Sequence, residues 1–137
     1  AALAAASHWP VGVDIEAWAR PFSDRAWQWA FCPEERDLAE PFGSDNRRRL
    51  AMWCAKEAAA KRQGLALLNH LAEVRIVEAD WPNQCLIVEL AGANPMRIKV
   101  AVIEDGLFVV ALAASSPDGV SPPCCIARDR GIAQPKL

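Results

Sequence analysis

Asp14 and Glu16 stand two residues apart in Val11-Gly12-Val13-Asp14-Ile15-Glu16, where apolar and polar residues alternate with period two. In a strand that spacing puts both carboxylates on one face, with Val11, Val13 and Ile15 expected to anchor the opposite face in the core. Like charges side by side repel, so the pair suits a solvated strand face, or a site in which a cation sits between them. A third carboxylate, Glu57, falls on a helical stripe formed by Leu50, Trp53, Cys54, Glu57, Ala58 and Lys61 at i, i+3, i+4, i+7, i+8 and i+11. That stripe should face the protein, where an unpaired charge is costly. An intrahelical Glu57 to Lys61 pair accounts for part of the conflict at little energetic gain, but leaves Asp14 and Glu16 unexplained. With the helix packed beside the strand, the three carboxylates would converge with Lys56 and Lys61 alongside. That set suits a hard divalent cation held together with phosphate oxygens, magnesium before zinc. His8, His70 and the cysteines show no spacing for zinc or iron.

The elements that must position these residues follow from local signals. Ser23-Asp24 opens a helical stretch carrying Trp27, Ala30 and Phe31, and Pro33 opens a second short helix through Leu38 that Pro41 and Gly43 end. Ser44, Asp45 or Asn46 caps a long helix to about Gln63, with Gly64 as its stop. After a loop around residues 65–71, strands are predicted at Glu73 to Ala79, Cys85 to Leu90, Met96 to Ile103 and Leu107 to Ala114, the last two joined by an Asp105-Gly106 hairpin. The fold class is therefore α+β, a small antiparallel sheet packed on a long helix. Residues 1–114 form the domain, and 115–137, with four prolines and no sustained period, are expected to be a loosely ordered tail.

The 137 residues suit one domain. Fifteen Lys+Arg against seventeen Asp+Glu, a net charge of -2, leave no basic field for gripping nucleic acid. No apolar run approaches the ~18 residues of a membrane span, so a soluble chain is expected. Cys32, Cys54 and Cys85 sit inside patterned segments, as buried thiols of a reducing compartment do, which points to the cytoplasm. The opening lacks an initiator methionine and a basic leader, as an excised or processed chain would. Arg47-Arg48-Arg49 opens the long helix and reads first as a solvated face, with an anionic partner as the minority reading. Of six tryptophans, Trp27, Trp53 and Trp81 suit packing, while Trp9 and Trp18 flank the acidic strand. Cys54 reads as inert core.

The Val11 to Glu16 strand, Phe31 with Glu35 a short helix later, and Trp53-Cys54-Ala55-Lys56-Glu57-Ala58-Ala59-Ala60-Lys61 together resemble the 4'-phosphopantetheinyl transferase superfamily. Its pattern is a G-[IV]-D-[IV]-E strand followed by a W-x-x-K-E-A-x-x-K helix. The likeness runs to about Ala114. It implies that Asp14, Glu16 and Glu57 correspond to magnesium ligands, that Glu57 is also the base deprotonating the acceptor serine, and that Lys56 and Lys61 match phosphate-binding lysines, with Lys61 acting at the reacting phosphate. It further implies coenzyme A as co-substrate and an acyl or peptidyl carrier protein as partner. The Glu after Ile15 is similar to the surfactin-synthetase-activating branch, whose second half carries this strand and helix. The first half's histidine in a Ser-His-Ser type motif has no counterpart, and His8 is not carried over. The chain is thus expected to pair with a missing N-terminal half or to form a homo-oligomer. Rival readings are a non-catalytic assembly or carrier-docking half and a magnesium-dependent phosphohydrolase.

Overall fold

The computed structural model describes residues 9–40 and 45–114. The expected tail at 115–137, His8, and the stretch of Pro41 and Gly43 lie outside them. Strand β1 (Val11–Ala17) leads into helices α1 (Asp24–Ala30), α2 (Pro33–Asp37) and α3 (Asn46–Arg62). A 3-10 turn at Leu67–Asn69 precedes β2 (Val74–Asp80), β3 (Cys85–Leu90), β4 (Met96–Glu104) and β5 (Phe108–Ala114). The class is α+β. Five antiparallel strands run in the order β1-β5-β4-β3-β2, so the meander from β2 to β5 returns to the first strand and pairs with it.

Local chemistry sets the helix ends. Ser23 caps α1 by accepting from Ala26 N at 3.1 Å, and Asp45 caps α3 by accepting from Arg47 N at 2.9 Å. Gly64, at φ 69°, takes the left-handed position that closes α3. The β4–β5 turn sits one residue later than the sequence predicts. Asp105 and Phe108 exchange backbone hydrogen bonds at 2.9 and 3.3 Å, leaving Gly106 and an exposed Leu107 as the loop.

The core lies between α3 and one face of the sheet, where Val74, Leu86, Val88, Ile98, Val100, Val109, Ala111 and Ala113 are buried. Helix α3 is buried on most of its circumference because α1 and α2 cover its far side, with the Phe22 ring in contact with those of Trp27, Phe31 and Trp53. The single inward stripe read from spacing is therefore too narrow.

Strand β1 faces α3 the other way from expectation. A Cβ on Gly12 would lie 1.8 Å from Ala58 O and 2.6 Å from Arg62 N, so the strand rests on the helix backbone through Gly12. Gly12 shares its face with Asp14 and Glu16, and that polar face is the inner one at this edge. Val13 and Ile15 lie on the outer face, half-buried, opposite Leu112 and Val110. The reason is size, since only a residue without a side chain admits the contact. Gly12→Ala should therefore cost about 3 kcal/mol, the upper end of overpacking because backbone rather than a side chain must move. A lowered urea midpoint at unchanged m would register it. Among the described residues no helix is long and apolar enough to cross a membrane.

Candidate functional site

The close approach at Gly12 lays β1 along the end of α3, with Asp14 against Lys61. Lys61 Nζ donates to Asp14 Oδ1 at 2.6 Å, and the Asp14 side chain is only 11% exposed against 49% for Lys61. Asp14 Oδ2 is buried with no hydrogen-bond partner. Beneath it lies the fully buried Cys54, whose thiol is pushed up by burial and then by the Asp14 charge. Cys54 thus stays a neutral thiol, in keeping with inert packing. Glu57 is half-buried on the adjoining surface of α3. No Glu57 to Lys61 ion pair forms among the described residues, because Lys61 reaches across to the strand.

Glu16 is held by Arg20, whose guanidinium donates to Glu16 Oε1. The turn carrying Arg20 is tied to the helix by Asn46, which accepts from Phe22 N at 2.8 Å and donates to Arg20 O at 2.9 Å. Arg20 lies outside both motifs, and its approach to Glu16 depends on this turn, so sequence reasoning passed over it.

The Glu57 carboxyl is held above its ordinary value by burial first and by Asp14 and then Glu16, with Lys61 and Arg20 opposing. Such a group binds its proton more tightly folded than unfolded. Its contribution to stability is complete below the ordinary glutamate pKa of about 4.3 and is lost as pH rises through the higher folded value. In EDTA, the stability of the wild type relative to Glu57→Gln should fall as pH is raised from about 4 towards neutrality, which urea unfolding at several pH values would measure. Lys61 behaves oppositely to a simply buried lysine. Burial lowers it, but the hydrogen bond and charge of Asp14 outweigh burial and hold its ammonium above the usual value.

Two expectations about the site are corrected. Lys56 does not stand beside the carboxylates. One residue along a helix turns the side chain by about 100°, and Lys56 points away from the seam into the core, fully buried. Its Nζ donates to Glu35 Oε1 and to Ala30 O, each at 3.0 Å. Glu35 also accepts from Ile76 N at 2.9 Å and Cys32 N at 3.0 Å, so both ions are saturated inside the protein. Nor do Asp14, Glu16 and Glu57 converge on one point. Among the described residues no three His, Cys, Asp or Glu side chains stand as a metal-holding group. Asp14 and Glu16 each hold a side-chain cation, Lys61 and Arg20 respectively.

The donor set nevertheless fits a hard cation in its chemistry. It is all oxygen, and Asp14 Oδ2 is an unpartnered buried acceptor.

The three arginines at the start of α3 are not a plain solvated face. Arg47 lies over Trp18 at 4.9 Å, Arg48 over Trp81 at 4.0 Å and Arg49 over Trp27 at 5.4 Å. Arg47, Arg48, Asp45, Ala51, Trp81 and Glu104 line an open cavity of about 280 Å3. Asp14, Glu16 and Glu57 do not line it. His70 pairs with Glu73 at 3.0 Å and is not among these residues either.

A strand and helix joined in this way, with three acidic groups and a lysine along the seam, define a class that the family comparison makes explicit. The model of the 4'-phosphopantetheinyl transferase superfamily matches residues 10–113, from the start of β1 to the end of β5, and the chain belongs to that superfamily. Membership supports phosphopantetheinyl transfer as its general chemistry. No curated protein matches the chain.

Proposed function

We propose that the chain transfers 4'-phosphopantetheine from coenzyme A to a serine of an acyl or peptidyl carrier protein, releasing 3',5'-ADP. The observation that carries this reading is the seam itself: Lys61 holds Asp14 where β1 lies on α3, with Glu57 half-buried on the same helix within reach of their charges, in a chain of this superfamily. The serine oxygen forms a bond to the β-phosphorus of coenzyme A, and the bond from that phosphorus to the oxygen bridging to the α-phosphate breaks. Glu57 receives the serine proton, directly or through a water, a role for which a carboxyl lifted towards neutrality is suited. Lys61, charged and half-exposed, neutralises phosphate oxygens as charge builds on the leaving 3',5'-ADP. Asp14, Glu16 and Glu57 would hold Mg2+. Bound there, the ion would screen the pyrophosphate charge. Lys56 takes no part in phosphate binding and instead holds α3 against α2 and β2.

The chain reads as the second half of a two-half enzyme of the surfactin-synthetase-activating branch, or as a protomer of a homo-oligomer, acting in the cytoplasm. The outer sheet face supports pairing, since Val13, Ile15, Val110, Leu112 and Ile103 leave it apolar and half-exposed. The test is the intact mass of an apo carrier protein after incubation with the chain, coenzyme A and Mg2+, with EDTA as control. A gain of one phosphopantetheine, abolished by EDTA, is expected. An unchanged mass across several carriers, also with a paired half supplied, would overturn the reading and favour a non-catalytic half.

A further inference from the structure

Arg20 is a cation at the seam that neither motif contains, and its side chain lies on Glu16. Strand β1 ends at Ala17, and Arg20 N closes the turn onto Ala17 O at 3.0 Å. Asn46 fixes that turn from α3. The backbone is thus held while the side chain stays half in solvent, 51% exposed, and covers a Glu16 side chain that is 18% exposed. Glu16 is its nearest partner and Asp14 acts on it from farther off. Arg20 in turn opposes the rise of Glu57. The guanidinium thus holds Glu16 and acts electrostatically with Asp14 and Glu57 from farther off, as Lys61 does from its place on Asp14.

This arrangement bears directly on the proposed reaction, on which the inference rests. While Arg20 holds Glu16, one carboxylate oxygen of Glu16 is engaged and its side chain is largely covered. A guanidinium forks onto phosphate oxygens in the same way as onto a carboxylate, and exchanges one oxyanion for the other without losing its hydrogen bonds.

We propose that Arg20 is a substrate-binding residue that works by exchange. It occupies Glu16 when no divalent cation is bound, gives Glu16 up when one binds, and then takes an anionic oxygen of the pyrophosphate-bearing substrate. Two consequences of opposite sign follow. Removing the guanidinium should ease binding of the cation and weaken binding of the substrate.

The experiment uses the full chain as wild type, Arg20→Gln and Arg20→Lys. Mn2+ binding is followed by electron paramagnetic resonance, and coenzyme A binding by calorimetry at saturating Mn2+, so neither readout depends on turnover. Arg20→Gln should bind Mn2+ several-fold tighter and coenzyme A about tenfold weaker, the loss of one charge-assisted contact. Arg20→Lys should recover part of the coenzyme A affinity. Mn2+ affinity unchanged or weaker in Arg20→Gln, or coenzyme A affinity unchanged, would overturn the assignment while wild-type binding of both ligands leaves the transferase reading standing. Wild type binding neither ligand would overturn both. Should Arg20→Gln fail to fold, the Arg20→Lys comparison decides. Lysine cannot fork, so equal affinities for both ligands in wild type and Arg20→Lys would then overturn the exchange.

Discussion

Glu57→Gln should abolish phosphopantetheine transfer, by about a thousandfold or more, while the chain remains folded. The expected size combines the loss of a positioned base, worth roughly 10² to 10⁴ in rate, with the loss of one carboxylate from the proposed cation site. The fold should survive because Glu57 is half-buried at the seam and makes no ion pair there, and the amide is nearly isosteric with the protonated acid. With Asp14 and Glu16 near it, removing the charge relieves repulsion, so Glu57→Gln should be at least as stable as wild type at neutral pH. Single-turnover mass measurements on a carrier protein, beside a thermal melt, make the check. Transfer within about tenfold of wild type would remove Glu57 from the base role.

The second large effect concerns stability. Lys56→Met should cost about 3 to 5 kcal/mol, because it leaves the buried Glu35 side chain without its counterion. Against a total stability of about 5 to 15 kcal/mol for a domain of ordinary size, that is enough to unfold much of the population on modest warming. Burial already drives the Lys56 ammonium below its ordinary value, with Glu35 opposing, so the pair persists by mutual compensation. Pairing Lys56→Met with Glu35→Gln should recover a good part of the loss, since the amide still accepts from Ile76 N and carries no charge. A phosphate-binding role for Lys56 makes the opposite prediction, wild-type stability with weakened coenzyme A binding. Urea unfolding of the two variants separates the two.

The two effects are linked through one helix. Lys56 and Glu57 are neighbours in sequence, yet Lys56 fastens α3 to α2 and β2 while Glu57 faces the seam with β1. The pair inside therefore sets the rotation of the turn that presents Glu57 outside. An unfolded or rotated α3 in Lys56→Met would lower transfer indirectly, which is why its decisive readout is stability.

Much of the molecule was legible in the residues alone. The strand carrying Asp14 and Glu16, the helix from a capped Asn46 to a stop at Gly64, and the later hairpins rest on alternation, capping and turn chemistry, which act between residues a few positions apart. The motif pair in β1 and α3 was readable for the same reason, and the family match covers both. Tertiary structure decided which face of β1 meets the helix, because that depends on Gly12 finding the Ala58 backbone 46 residues away in a contact no periodicity records. It also decided that Lys56 turns inward to Glu35 and that Lys61 meets Asp14 across the seam rather than Glu57 one turn back on its own helix. A charge in a sequence has several possible partners, and which one it meets is set by the packing of distant elements that brings some within reach and buries others.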